Sequence, residues 1–267
     1  MSVKRLIVTA DDFGASADVN QAIVRAFQGG ILRYASLLVD APAAEEAVSL
    51  AKDNPGLGVG LHLDLCPLRE EFESVPNPTL WGLRYFFSPK WRRHLIPEIE
   101  RQIKKLISYG LKPTHADGHI NIHVHPVIFP ALVKVCRDYG ISRIRLPFGE
   151  AALCASYEQR AYPKNVAHFL IFSVLGQYLK RKMPSDLSVP DHCFGLLRSG
   201  QMKEDYLLWL LERLPEGTTE IYFHPSLDPG SVVSDQPTPT HQTISEFETL
   251  ISSRVREMVE KMGIVLV

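Results

Sequence analysis

The stretch THADGHINIHVHP, Thr114 to Pro126, gathers four of the chain's ten histidines within eleven residues. Read as an extended strand, it places His115, Asp117, His119, Asn121, His123 and His125 on one side and Ala116, Gly118, Ile120, Ile122 and Val124 on the other. Same-face histidines two residues apart lie about 6 to 7 Å apart at Cα, close enough to share a metal ion. Six such positions extend over roughly 33 Å, too far for one ion. Gly118 is a place for the strand to bend or end. One of these histidines is therefore expected as a direct ligand, with His115, Asp117, His123 and His125 in supporting or substrate-contacting positions.

Other polar residues fall where apolar runs finish: Asp11 and Asp12 in TADDFG, His62 and Asp64 in GLHLDL, His224 in IYFHPS. Two adjacent acids can face different ways, so one can ligate a metal while the other stays free as a base. One Asp with two His is a three-ligand set that leaves positions for water and substrate; it suits zinc, and also manganese, iron(II) or magnesium. Such an ion acidifies its water and polarises a carbonyl oxygen, and a nearby carboxylate can accept the water's proton. Each residue taken alone has a plainer reading. Asp11-Asp12 reads as a pair of helix-opening acids, and His62 and His224 read as hydrogen-bonded core histidines.

The elements that would position these groups alternate. Arg5 to Ala10 reads as a strand, and Ser16 caps a helix with Ala22, Ile23 and Ala26 inward that stops at Gly29-Gly30. Ala35 to Val39, Leu57 to Leu65, the His-rich stretch, Arg143 to Leu146 and Glu220 to His224 read as further strands, with Ile264 to Val267 as a closing one. Helices are expected over Pro42 to Lys52, about Ile96 to Tyr109, Phe129 to Gly140 and about Asp205 to Leu214. The last helix reads as opened by a capping box, Ser245 to Glu248, and closed by Gly263. Two stretches break the alternation, at about 66–95 and 147–201, and read as insertions in a single domain spanning 1–267, the second with helix around Ala167 to Lys182 and lid-like in position. Repeated strand-helix units argue for a parallel sheet clothed by helices. A distorted (β/α) barrel with its site at the C-terminal strand ends is the first choice, because those ends share one mouth. An open doubly wound sheet is second, since ADDFGAS lacks the glycines of a phosphate loop.

The 267 residues carry a net charge of −1, with 45% apolar and 22% charged residues, which fits a globular domain and argues against nucleic acid as a partner. Cys66, Cys136, Cys154 and Cys193 form no CxxC pair, so neither a disulfide framework nor a thiolate zinc site is expected. The N-terminal apolar run is too short for a signal segment, giving a cytoplasmic expectation, and no segment approaches the roughly 20 apolar residues of a membrane span. A homodimer is an open option.

With TADDFG, GLHL, the Asp117-Gly118-His119 step and a late His-Pro together, the chain resembles the YdjC-like family of carbohydrate deacetylases over nearly its full length. Within that family it is most similar to the hopanoid-biosynthesis-associated branch, through TADDFG, YFFSPKWRRHLIPEIERQ, HVHP, IRLPFGE and DHCFGLLRSGQM leading to EIYFHP. The resemblance implies a distorted barrel that hydrolyses the N-acetyl group of an acetylated amino sugar with one divalent metal ion, zinc or magnesium, with manganese as a further option. It implies Asp12, His62 and His119 as ligands, Asp11 as catalytic base, His224 as the acid that protonates the departing amine, and Arg145 as a group orienting substrate or a neighbouring acid. Ile120 and Asn121 stand where the branch has Lys and His, and Asp64 stands where Asn or an apolar residue is usual. A lipid-linked substrate at the inner membrane face is the finer expectation. Lys90, Arg92, Arg93, Arg101, Lys104 and Lys105 around Ile96, Ile99, Ile103 and Leu106, and Phe169 to Leu179 followed by Lys180-Arg181-Lys182, suit an anionic surface. Chitooligosaccharide deacetylation, a metal phosphoesterase, a 2-His-1-carboxylate iron oxygenase and a non-catalytic metal or sugar binder are the rival readings.

Overall fold

The computed structural model describes residues 3–65, 78–157, 174–228 and 241–267. Its centre is β1, Lys4–Phe13, buried from Leu6 onward as a parallel strand covered on both faces must be. In chain order follow α1 (Ala17–Gly29), β2 (Tyr34–Leu37), α2 (Ala44–Asp53), β3 (Gly58–Leu63), α3 (Pro78–Phe87), α4 (Pro89–Ser108), β4 (Ala116–Gly118) and α5 (Ile128–Asp138). Then come α6 (Ala151–Tyr157), α7 over 174–181, β5 (His192–Phe194), α8 (Glu204–Glu212), β6 (Gly217–Phe223), α9 (His241–Ile251), α10 (Ser253–Lys261) and β7 (Val265–Leu266). All pairings are parallel, in the order β4-β3-β2-β1-β6-β5, with β7 beside the start of β1.

The two ends of this sheet are joined by an irregular segment. Ala116 N donates to Arg143 O (3.0 Å) and Arg145 N to Ala116 O (3.1 Å) on one side. On the other, Ile144 N donates to Ser188 O (3.0 Å) and Cys193 N to Phe148 O (3.0 Å). The architecture is the distorted parallel (β/α) barrel expected from the strand-helix alternation. The fifth strand expected at Arg143 to Leu146 is correspondingly reduced to single bridges, Ala116 with Ile144 and Arg143 with Ser188.

Local chemistry explains the elements next to the site. Ser16 accepts from Val19 N (3.3 Å) and opens α1, which buries Val19, Ile23 and Ala26 on one stripe. Asn20 accepts from Gly14 N (2.7 Å) and donates to Ala43 O (3.0 Å) and Glu46, pinning the turn after Asp11 and Asp12. α4 buries Leu95, Ile99, Ile103 and Leu106 and runs through Pro97 from Pro89, seven residues earlier than expected from Ile96.

Several expectations are corrected. The His-rich strand stops at Gly118; His119–Val124 is a 3₁₀ turn in which Ile120 (φ 50°) and Asn121 (φ 55°) are left-handed, so the six polar positions do not share a face. The segment 147–201 is not wholly outside the sheet, because it supplies β5. The capping box at Ser245 is no box: α9 already runs through Ser245, and the cap is Ser252 of α10, which accepts from Val255 N (3.3 Å). Residues 66–77 and 158–173 lie outside the described residues, with Cys66, Phe169 and the first part (167–173) of the helix expected at Ala167 to Lys182 among them. Among the described residues no helix is long and apolar enough to cross a membrane.

Gly60 on β3 leaves room for the ring of His115: a Cβ there would stand 2.5 Å from the ring's Cε1 and Nδ1. That ring is buried and held at both nitrogens, by Ser36 and Thr114, so it has nowhere to yield. Gly60→Ala is expected to destabilise the fold by about 1 to 3 kcal/mol in urea unfolding; an unchanged midpoint would contradict this packing.

Candidate metal and catalytic site

The strand tips bring sequence-distant side chains together at one mouth. β1 ends irregularly: its register with β2 shifts between Ala10 and Phe13, and Asp12 is left-handed (φ 63°). Asp11 and Asp12 consequently address different partners. Asp12 Oδ1 lies 3.4 Å from His62 Nε2 and 3.1 Å from His119 Nδ1, and the two imidazoles meet edge to face at 5.7 Å. One donor atom from each of Asp12, His62 and His119 falls within 4.8 Å of the others, all three residues buried. Burial alone would raise the Asp12 carboxyl, but hydrogen bonds from His119 and His62 outweigh it and hold the group well below the ordinary carboxylate range.

Asp117 fixes the orientation of His62. The ring's Nδ1–H donates to Asp117 Oδ1 (2.7 Å), which leaves Nε2 as the nitrogen facing Asp12. Ser36 donates to Asp117 Oδ2 (2.6 Å) and also meets His115 Nε2 (3.0 Å). A second trio within the same span, Asp11, His62 and Asp117, is less suited to a cation, because Arg145 and Ser36 already occupy its carboxylate oxygens. The Asp12 trio fits a divalent ion on three counts: a charged oxygen with two imidazoles, a His62 tautomer preset by Asp117, and a buried His119 Nε2 without a hydrogen-bond partner.

Asp11 turns the other way. Arg145 grips it with both terminal nitrogens, Nη1 to Oδ2 at 2.7 Å and Nη2 to Oδ1 at 2.8 Å. The same guanidinium reaches Asp117 Oδ2 (2.9 Å) and Glu220 Oε1 (3.0 Å) and lies over the Tyr222 ring at 4.3 Å. Burial opposes its charge, but Asp11, Asp117 and Glu220 together hold the Arg145 pKa well above its ordinary value. His224 Nε2 stands 3.8 Å from Asp11 Oδ2 across the mouth.

The remaining residues singled out in the sequence take varied places. His115, Asp117 and His123 are fully enclosed, so of the two positions open to them burial gives supporting contact rather than an open face toward substrate. His123 Nε2–H donates to the backbone Arg145 O (2.9 Å). His125 is carried away by the 3₁₀ turn; it accepts from Val127 N (3.2 Å), and its ring lies 4.3 Å from that of Phe86 on α3. Among the described residues, Ser36, Ser199, Glu220, Tyr222 and Glu246 have a part in the site and were not singled out. Ser36 and Glu220 carried a usable signal, being polar residues inside strands that must be buried and therefore paired. Glu246 was hidden by its likeness to a helix cap.

Comparison with known proteins can now be set beside this geometry. A family model described as YdjC-like protein matches residues 5–261. The chain belongs to that family. Among curated relatives, a carbohydrate deacetylase of Brevibacillus brevis is 39% identical over 152 residues, 54% of this chain and 60% of that protein. One of Geobacillus stearothermophilus is 38% identical over 146 residues, 51% of this chain and 57% of the relative. The matched stretch thus spans about three-fifths of those two relatives. A carbohydrate deacetylase of Thermoanaerobacter pseudethanolicus is 29% identical over 232 residues, covering 84% of this chain and 82% of the relative. Among solved structures, a candidate cellobiose-phosphate cleavage protein of Enterococcus faecalis V583 superposes with a TM-score of 0.73 over 100% of this chain and 97% of that one, at 23% identity, which shows a shared fold.

Burial pushes the His123 pKa down to about 4, so the folded protein keeps this ring neutral while the unfolded chain takes up a proton near pH 6.5. The stabilisation from the neutral ring is complete above pH 6.5 and is lost as pH falls toward 4, a change of up to about 3 kcal/mol. Urea unfolding between pH 7 and 4 should show this slope, and His123→Gln should flatten it; an unaltered slope would mean that other groups carry it.

Proposed function

We propose that this YdjC-like protein is a metal-dependent deacetylase that hydrolyses the N-acetyl group of an acetylated amino sugar. The observation that carries the reading is the division of labour between adjacent acids: Asp12 joins His62 and His119, while Asp11 is held apart by Arg145 and faces His224. The deacetylase names of the family relatives support the reaction class. Asp12, His62 and His119 would hold one divalent ion. When bound, it supplies Lewis-acid polarisation of the acetyl carbonyl and a more acidic water; zinc, magnesium and manganese are all compatible with the donor set.

The chain's own residues do the rest. Arg145 fixes the plane of Asp11 with two hydrogen bonds, so that a carboxylate oxygen can accept the proton of the attacking water. His224, across the mouth from Asp11 Oδ2, donates a proton to the amide nitrogen as the carbon–nitrogen bond breaks, giving acetate and a free amine. Asp117 keeps His62 in one tautomer throughout. In assays of acetate and free amine on metal-loaded protein, Asp11→Asn should lower turnover by about 10² to 10⁴ with metal content intact. His62→Ala and His119→Ala should lose the metal. Undiminished turnover of Asp11→Asn would defeat the assignment.

The finer substrate reading is N-acetylglucosaminyl hopanoid, presented at a membrane surface, rather than a soluble chitooligosaccharide. Besides the motifs shared with that branch, two exposed patches support it: Leu83, Phe86 and Phe87 are exposed on α3, Phe87 by 79%, and Lys90, Arg92 and Arg93 follow on α4. Val174 and Tyr178 are exposed on α7 beside Arg181 and Lys182. Apolar groups flanked by cations suit anionic lipid. The protein should sediment with anionic liposomes and release acetate from the hopanoid in them; turnover of chitooligosaccharides alone, without liposome binding, would move the assignment to soluble sugars.

A further inference from the structure

Glu246 is fully buried on α9, yet both its carboxylate oxygens are engaged by a loop at the mouth and by the turn that bears His224. Oε2 accepts from His224 N at 2.5 Å, and Oε1 accepts from Met202 N at 3.0 Å. The chain leading to Met202 carries Ser199, whose Oγ stands 3.3 Å from His224 Nδ1. Glu246 Oε2 itself lies 4.0 Å from the same Nδ1. One carboxylate thus ties the backbone of His224 to the segment that supplies the partner of its ring.

We propose that Glu246 is the positioning residue of His224: it aligns the imidazole with Asp11 through two backbone N–H groups and, through the segment that bears Ser199, fixes which ring nitrogen faces the leaving amine. The inference rests on the deacetylase reading and deepens it. In the charged imidazole both nitrogens donate. Ser199 Oγ then accepts from Nδ1, and the Nε2 proton points toward the side of the site where Asp11 Oδ2 lies, 3.8 Å away. Among the described residues, the groups facing the ring are Asp11 on β1, with its charge paired to Arg145, Tyr222 on β6 at 5.9 Å between rings, Ser199, and Glu246 on α9. Among these, Glu246 is the anion at the Nδ1 end. It touches neither the Asp12 trio nor, by this geometry, the reacting amide, so its effect on the reaction passes through His224.

The test uses the full-length, metal-loaded protein and two readouts. Glu246→Gln keeps the shape, removes the charge and leaves one acceptor oxygen for two N–H groups. The ring signals of His224, followed by NMR, should show a changed tautomer and orientation. The kcat for acetate release should fall about tenfold or more with KM little changed. A purely structural role would lower the melting temperature and leave the ring signals and kcat in place, and that result would overturn the proposal. Should Glu246→Gln fail to fold, Ser199→Ala decides: loss of the Nδ1 contact should shift the His224 tautomer and lower kcat several-fold, whereas an unchanged tautomer and kcat would overturn the arrangement. A wild type that releases no acetate from any amino sugar would sink the deacetylase reading, while the NMR ring signals would still judge the Glu246–His224 coupling.

Discussion

A single buried guanidinium holds the site and closes the barrel. Arg145 sits on the irregular segment that bridges the two ends of the sheet, and its nitrogens reach Asp11 on β1, Asp117 on β4 and Glu220 on β6. Three carboxylates this close would repel one another and resist burial without a cation between them, and a cation this deep would be intolerable without them. Such a network adds little net stability over an apolar core, yet removing any one partner would leave an uncompensated buried charge. Here the geometry has a chemical use, because the residue that completes the barrel also sets the plane of Asp11 and steadies the carboxylate that orients His62. Thr9 adds a hydroxyl to Glu220 (2.9 Å), and His123 anchors the Arg145 carbonyl, so the guanidinium has little freedom to swing.

A second chain of contacts runs through the strands on the other side. Thr114, His115 and Ser36 lead to Asp117, and Asp117 leads to His62. Burial and the nearby Arg143 guanidinium lower the His115 pKa, so this ring relays hydrogen bonds as a neutral group. His62 behaves oppositely: burial opposes its charge, but Asp117 and Asp11 outweigh that and raise its pKa. Two histidines of the same barrel thus differ in character because one lies beside carboxylates and the other beneath them, near a cation.

Much of this was legible in the sequence, and what was not has physical reasons. Asp11, Asp12, His62, His119 and His224 stand out because acids and imidazoles at the ends of buried strands need a purpose, and parallel strand ends share a mouth. The alternation of His115, Asp117 and His119 was misleading beyond Gly118. Ile120 is β-branched, and nothing local announces that it will adopt a left-handed backbone; such a conformation persists only because surrounding contacts enforce it. β5 has three residues, too few for periodicity to register. Ser245 to Glu248 has the pattern of a capping box, but capping is decided by which N–H groups lack partners. The Glu246 carboxylate found its N–H groups on residues 202 and 224, far away in sequence.

The adjacent acids show most directly how local distortion makes chemistry available. A strand continuing with regular pleating would send Asp11 and Asp12 to opposite faces, one toward the barrel mouth and the other into the surrounding helical layer, where a carboxylate would be buried without a cation. The register shift after Ala10 and the left-handed Asp12 remove that conflict. Asp is among the residues that tolerate this conformation, and the strain, of order 1 to 3 kcal/mol, is offset by contacts that a straight strand could not make. Asp12 gains two imidazoles and Asp11 gains a two-point grip from Arg145. In the function proposed above the pair divides two tasks, ligation and proton transfer, and the backbone that bends between them gives each acid counter-charges of its own.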